Sequence, residues 1–158
     1  MTTQDLESYI LFELGGTSYG VKSREVLHME MLDQVTPVPN APLFVDGVVF
    51  SRGQVIPIVN LRVRFGFPRQ SHTLRTRLLV VQVDDRAVGL IVDSAREFRM
   101  IPAHVIQPPD AAISGLSGKF LTGIASMDDR LILLLDVQAT LDLIETEAAN
   151  TAGPAMAI

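Results

Sequence analysis

Two stretches of this chain lie over each other without a gap: Tyr9–Met31, YILFELGGTSYGVKSREVLHMEM, and Leu78–Met100, LLVVQVDDRAVGLIVDSAREFRM. Each runs through an apolar segment, a two-residue turn signal, a second apolar segment holding one glycine, and a mixed segment that ends in methionine. Gly15-Gly16 falls over Asp84-Asp85, Gly20 over Gly89, and Met31 over Met100. A second block repeats downstream. Gly47–Leu61, GVVFSRGQVIPIVNL, lies over Gly123–Val137, GIASMDDRLILLLDV, with Arg52-Gly53 over Asp128-Asp129. A proline-marked stretch separates the blocks in both copies, Pro37-Val38-Pro39 in one and Pro108-Pro109 in the other. Two blocks in the same order with matching turns point to an internal duplication.

The periodicity inside the blocks is that of strands. Tyr9–Leu14, Ser18–Val21, Leu78–Val83, Val88–Val92 and Leu131–Asp136 are short, rich in Val, Ile, Leu and Phe, and bounded by Gly or Asp. Gly15-Gly16, Asp84-Asp85-Arg86, Ser51–Gln54 and Met127–Arg130 read as hairpin turns, because Gly and Asp tolerate the backbone angles such turns need. The expectation is an all-β chain of about nine or ten strands in two packed barrels of about five strands each, since closure removes exposed sheet edges. The first unit is placed at residues 9–68 and the second at 76–137, with exchange of strands between them left open. A short C-terminal helix is expected over 138–148, from apolar Val137, Leu141, Ile144 and Ala148 at helical spacing, followed by a loose tail at 149–158. Ser23–Met29 is at most a short turn of helix, and polar Arg69–Arg77 reads as the connection between units.

At 158 residues, 47% hydrophobic and with formal net charge −5, the chain fits one ordinary domain or two small, intimately packed subdomains, with ample apolar surface for a core. Its two lysines, Lys22 and Lys119, stand far apart and no basic stripe occurs, which argues against nucleic acid or an anionic membrane as partner. There is no cysteine, so disulfides, thiolate metal sites and cysteine nucleophiles are excluded. The polar, acidic Met1–Ser8 does not read as a secretory signal, and Gln34–Val45, uncharged but proline-rich, is too short to span a bilayer. The expected location is the cytoplasm, with no direct insertion into membrane.

No residue set reads as catalytic. His28, His72 and His104 lack the close spacing of helical metal sites. The carboxylate pairs Asp84-Asp85 and Asp128-Asp129 fall at equivalent turns and read as turn formers. Gly115–Phe120 resembles a phosphate loop but lacks its first glycine and its hydroxyl residue, and reads as a flexible loop. Neither a nucleophile elbow nor a dinucleotide-binding glycine pattern is present. No cofactor is expected. Arg52 is the residue the repeat explains least: its counterpart is Asp128, and a plain turn needs only a small polar residue. It is either a solvated loop-tip arginine or a preorganised interaction anchor. Phe98 lies opposite Leu27–Met29 of the first copy and is either core or part of a groove between units.

The run Asp33–Phe65, DQVTPVPNAPLFVDGVVFSRGQVIPIVNLRVRF, resembles the central signature of CheW-like coupling proteins. Thr36, Pro37, Pro39, Pro42, Gly47-Val48, Arg52-Gly53, Pro57, Leu61-Arg62 and Phe65 carry it. Phe12–Gly15, Tyr19–Val21, Val88–Asp93, Leu121–Ile124 and Leu134–Val137 extend it over about Tyr9 to Leu143. The resemblance implies two packed, five-stranded SH3-like barrels in a stand-alone adaptor. It implies two partners, the regulatory domain of a CheA-type histidine kinase and the cytoplasmic tip of a chemoreceptor, with recruitment to receptor arrays at the membrane. The residues that match the receptor groove are Val26, His28, Arg52, Arg77 and Phe98. The kinase face falls on apolar strand residues of the first barrel, without specifying which. Three departures bear on partner choice: His28 stands where the family often has an acid, Phe50-Ser51 replaces Asn-Leu, and Asn60 replaces an aspartate. An imidazole at position 28 also raises the expectation of pH-sensitive binding. The competing readings are an SH3-like scaffold of another assembly and a small-molecule sensor using the groove between barrels.

Overall fold

The computed structural model of the chain describes residues 5–109 and 119–141. The alternating apolar runs become strands β1 (Leu6–Leu14), β2 (Thr17–Lys22), β3 (Val26–Met31), β4 (Val45–Ser51), β5 (Gln54–Asn60), β6 (Arg77–Val83), β7 (Arg86–Val92), β8 (Ser94–Pro102), β9 (Ile106–Gln107), β10 (Leu121–Met127) and β11 (Arg130–Leu135). They form two sheets, of order β3-β6-β7-β5-β4 and β8-β1-β2-β11-β10-β9. The fold is all-β. The turns are those the sequence marks: Gly15 and Gly16, Arg52 and Gly53, Asp84, and Asp128 and Asp129 all have positive φ.

The two sheets are built on one plan. Gly20 pairs with Leu134 in parallel β2–β11, and Gly89 with Ile58 in parallel β7–β5. These are equivalent pairs under the repeat. The antiparallel ladders agree too: Phe12 faces Ala95 as Val81 faces Val26, and each ladder is interrupted by a register shift at that point. Each sheet thus takes a hairpin from the other copy. Hairpin β1–β2 completes the sheet of β8 and β9–β11, and hairpin β6–β7 completes the sheet of β3–β5.

Both sheets curl shut. The chain leaving β3 reaches the opposite edge at Thr36, which exchanges backbone hydrogen bonds of 2.8 and 2.9 Å with Val48 of β4. The chain leaving β8 returns as β9, which pairs with β10. One closed unit, barrel one, encloses Val49, Ile56, Ile58, Leu78, Val80 and Ile91. Barrel two encloses Tyr9, Leu11, Ile101, Ala125, Ile132 and Leu134. The alternate residues of the same strands, among them Phe12, Tyr19, Leu79, Val81 and Leu90, form a third and larger core between the barrels. Strands that are apolar on both faces are what two cores per sheet require.

Gly89 is needed inside barrel one, because a Cβ there would meet Ile58 Cδ1 at 2.7 Å and Leu78 Cδ1 at 2.8 Å. An aromatic row runs through the inter-barrel core, Phe12 to Tyr19 to Phe65 to Phe120, with ring centroids 5.1–5.9 Å apart. Arg64 lies over the rings of Phe44 and Phe120.

Ser23–Met29 holds no more than the short turn expected, the 3-10 turn Ser23–Glu25, before β3 begins at Val26. Local readings differ from the structure at two places. A one-turn helix, α1 (Leu61–Arg64), was not legible, since four residues carry no period. Phe120, assigned to a flexible loop, is buried at 4% exposure, held by Phe65 and Arg64, contacts too distant in sequence for periodicity to show. Residues 115–118 of that loop lie outside the described residues, as do the tail and most of the expected C-terminal helix. Residues 137–141 are helical, opened by Asp136, whose Oδ1 accepts from the Ala139 amide. Asn60, its repeat counterpart, caps α1 in the same way by accepting from the Val63 amide. The Asn-for-Asp departure therefore leaves the cap intact. No helix among the described residues is long and apolar enough to cross a membrane.

Candidate interaction site

β3 and β4 meet along the seam of barrel one, and three polar side chains fasten the seam. Ser51 Oγ donates to Glu30 Oε2 at 2.9 Å, His28 Nε2 lies 2.7 Å from the same oxygen, and Ser51 Oγ is 3.4 Å from that nitrogen. His28 and Glu30 are partly buried, with side chains 15% and 32% exposed. Ser51, one of the departures from the family signature, is thus part of the closure and is itself buried.

Arg52 follows directly at the tip of the β4–β5 hairpin. It is exposed, has φ 50°, and makes no hydrogen bond or ion pair with a described residue. The left-handed conformation suits Gly, Asn or Asp; for arginine it costs about 1 kcal/mol. The turn alone therefore does not account for arginine here.

Barrel two has an ionic version of the same seam. Glu97 and Arg99 of β8 stand where His28 and Glu30 stand on β3. Arg99 Nη2 donates to Asp128 Oδ2 at 2.7 Å, and Arg130 Nη2 donates to both oxygens of Glu97 at 2.9 Å. Asp128, the counterpart of Arg52, has nearly the same backbone angle, φ 53°, but its charge is consumed within the molecule. The contacts that cross the seams span 21 to 33 residues, so sequence spacing gave no sign of them.

Of the other expected groove residues, Val26 is half-buried against the inter-barrel core and pairs with Val81. Arg77 opens β6 opposite Met31, on the same ladder as Val26 and His28. Its Nη1 is engaged by the carbonyls of Leu74 and Thr76, at 2.7 and 2.9 Å. Phe98 sits on β8 in the other sheet, 64% exposed, opposite Ile10, which like Val26 packs on the inter-barrel core. His28 and Arg52 are thereby joined through Ser51. Val26 and Arg77 share a ladder with His28, and Phe98 belongs to the other barrel.

An apolar surface adjoins Arg52. His28 and Ser51 touch inside the seam, so their strand neighbours point outward. Leu27 and Met29 flank His28, and Phe50 flanks Ser51; all three are exposed, as is Val55, the cross-strand partner of Phe50. Phe50 is 76% exposed. Barrel two repeats part of this face at Phe98 and Leu131, the counterparts of Met29 and Val55. An open polar cleft of about 330 Å³ lies elsewhere, lined by Glu13, Asn60, Arg62, His72, Arg75 and Asp93 among others. Its central charges are spent on one another: Arg62 donates twice to Asp93, at 2.8 and 3.0 Å, and Asp93 accepts from the Gly15 amide. That clamp ties the β1–β2 turn to α1 and to the β7–β8 junction. It gives the signature Arg62 a structural role that sequence did not reveal. Among the described residues, no group of three or more His, Cys, Asp or Glu is placed to hold a metal ion.

Two closed β-barrels with exchanged hairpins, a fastened seam and an exposed arginine beside an apolar face define a double-barrel binding module. Residues 8–145 match the CheW-like domain, and the chain belongs to that family. It is 32% identical over 136 residues to the chemotaxis protein CheW of Klebsiella aerogenes, covering 85% of this chain and 81% of that protein. It is also 32% identical over 140 residues to the probable chemotaxis protein CheW of Rhizobium etli, covering 89% of this chain and 90% of the relative. The crystal structure of the scaffolding protein TtCheW from Thermoanaerobacter tengcongensis superposes with a TM-score of 0.77 at 29% identity. That likeness covers 82% of this chain and 88% of that one.

Proposed function

We propose that this chain is a non-catalytic adaptor of chemotaxis-type signalling that joins the cytoplasmic tip of a chemoreceptor to the regulatory domain of a CheA-type histidine kinase. It acts in the cytoplasm, recruited to membrane receptor arrays. The observation that carries this reading is the family match over residues 8–145, together with nearly full-length likeness to proteins named for chemotaxis and scaffolding. Two features of the surface support it. Leu27 and Met29 on one side of the seam, and Phe50 and Val55 on the other, offer exposed apolar side chains of the kind that mark a protein partner, and we assign them to the kinase. Arg52, with Val26, His28, Arg77 and Phe98, is assigned to the receptor. Arg52, which bonds to no described residue, is held at a backbone cost, as expected of an anchor.

Calorimetric titration with the regulatory domain of a CheA-type kinase from the same genome tests the reading. Saturable one-to-one binding, abolished by Phe50→Lys, supports both the function and the face. Absence of binding to every such kinase of that genome removes the coupling function and leaves the fold.

A further inference from the structure

Comparison of the two seams singles out Glu30. In barrel two the strand residue at this position, Arg99, reaches across to the hairpin-tip residue Asp128 at 2.7 Å. In barrel one both charges are reversed: the strand residue is Glu30 and the tip residue is Arg52, on a backbone of nearly the same φ. The geometry that joins 99 to 128 is therefore available to 30 and 52. Yet Glu30 turns instead to His28 and Ser51, and Arg52 is left over. What differs is the third member. Barrel two has Glu97 where barrel one has His28, and Glu97, 3.7 Å from Arg99, is held more closely by Arg130 at 2.9 Å. Gln54, the counterpart of Arg130, carries no charge to play that part.

We propose that Glu30 is a carboxylate for which His28 and Arg52 compete, so that protonation of His28 decides how much of Arg52 is left for a carboxylate on a partner. With His28 charged, the ion pair at 2.7 Å holds Glu30 inside the seam and Arg52 projects free. With His28 neutral, the ion pair is reduced to a hydrogen bond from an uncharged donor to the carboxylate, and the permanent charge of Arg52 draws Glu30 to the tip, as Arg99 draws Asp128. An imidazole is the side chain whose charge is most readily changed near neutrality, so pH is the variable that tests the exchange. The surrounding charges do not substitute for either competitor. Arg77 at the start of neighbouring β6 is engaged by carbonyls, Arg24 and Glu25 belong to the turn before β3, and Asp33 lies beyond its end. From β4 and β5 the seam receives Ser51 and Gln54, neither of which titrates.

The consequence for binding rests on the proposed receptor role of Arg52; the exchange itself does not, and the test separates them. The Arg52 Nε–H resonance and the His28 ring resonances are followed together by NMR from pH 5.5 to 8.5. The Arg52 signal is expected to track the His28 titration, and to stay flat in His28→Gln and in Glu30→Gln; backbone amide spectra establish that the variants are folded. An Arg52 signal indifferent to His28 overturns the exchange. Affinity for a receptor-tip helical hairpin from the same genome is expected to fall severalfold between pH 6 and pH 8, and to lose that dependence in His28→Gln. Affinity that depends on Arg52 yet stays level across this range overturns the gating. Affinity unaffected by Arg52→Ala refutes the receptor role, while the resonances still decide the exchange.

Discussion

At the scale of the residue, the proposed receptor role of Arg52 sets binding against stability. Its φ of 50° is relieved by glycine and tolerated by asparagine. Arg52→Gly should raise the midpoint of thermal unfolding, by about 0.5–1 kcal/mol of stability, and weaken receptor binding by roughly 1–3 kcal/mol. Arg52→Ala keeps the backbone cost and should lose affinity with little change in melting. A second residue carries a pH signature. Burial, ahead of the attraction of Lys22 and Arg24, raises the pKa of Glu25. The folded state thus holds this proton more tightly than the unfolded chain. The stability so contributed is complete below the ordinary value of 4.5 and is lost as pH rises through the folded value. Glu25→Gln should therefore melt about 1–2 °C above the parent at pH 7, an advantage that disappears at pH 3.5. Calorimetric scans at the two pH values check this.

At the scale of the element, closure of each barrel depends on a close approach that a side chain would block. A Cβ on Gly47 would fall 2.1 Å from the carbonyl oxygen of Thr36, the group that accepts from Val48. Gly47→Ala should open the seam and cost more than about 3 kcal/mol, because a backbone oxygen cannot swing aside. Gly89→Ala meets only side-chain carbons, and the expected loss is about 1–3 kcal/mol. Gly20→Ala should cost less, since the corresponding distances are 3.1 and 3.2 Å. Urea unfolding of the three variants gives the order directly. The seams are alike in backbone and unlike in chemistry: ionic in barrel two, imidazole, carboxylate and hydroxyl in barrel one. The turns and strands of both were legible from local pattern. The seam partners were not, because they lie on opposite edges of a sheet and no period connects them.

At the scale of the whole molecule, neither copy of the repeat can complete a barrel alone. Barrel one needs β6 and β7 from the second copy, and barrel two needs β1 and β2 from the first. The copies are joined by the stretch 69–76, whose Arg69 is tied to Asp46 and to the Leu43 carbonyl. A chain cut within 70–72 should stay assembled as a two-piece complex. Either piece alone should lack the circular dichroism of the intact protein, and mixing the pieces should restore it. Independent folding of one piece would show that the exchanged hairpin is dispensable.

The sequence by itself determined the all-β class, the duplication, the positions of the hairpin turns and the prominence of Arg52. These follow from periods of two, from residues that tolerate positive φ, and from a charge that the repeat leaves unexplained. Its motifs also carried the family resemblance. Only the tertiary structure decided which hairpin completes which barrel, which side chains fasten each seam, and that Arg52 has no partner among the described residues where Asp128 is bound. The physical reason is that these strands are apolar on both faces. Alternation then says that every strand is buried twice, but not against which neighbours, and the choice among them is made by long-range packing and by charges that meet only when the sheets close.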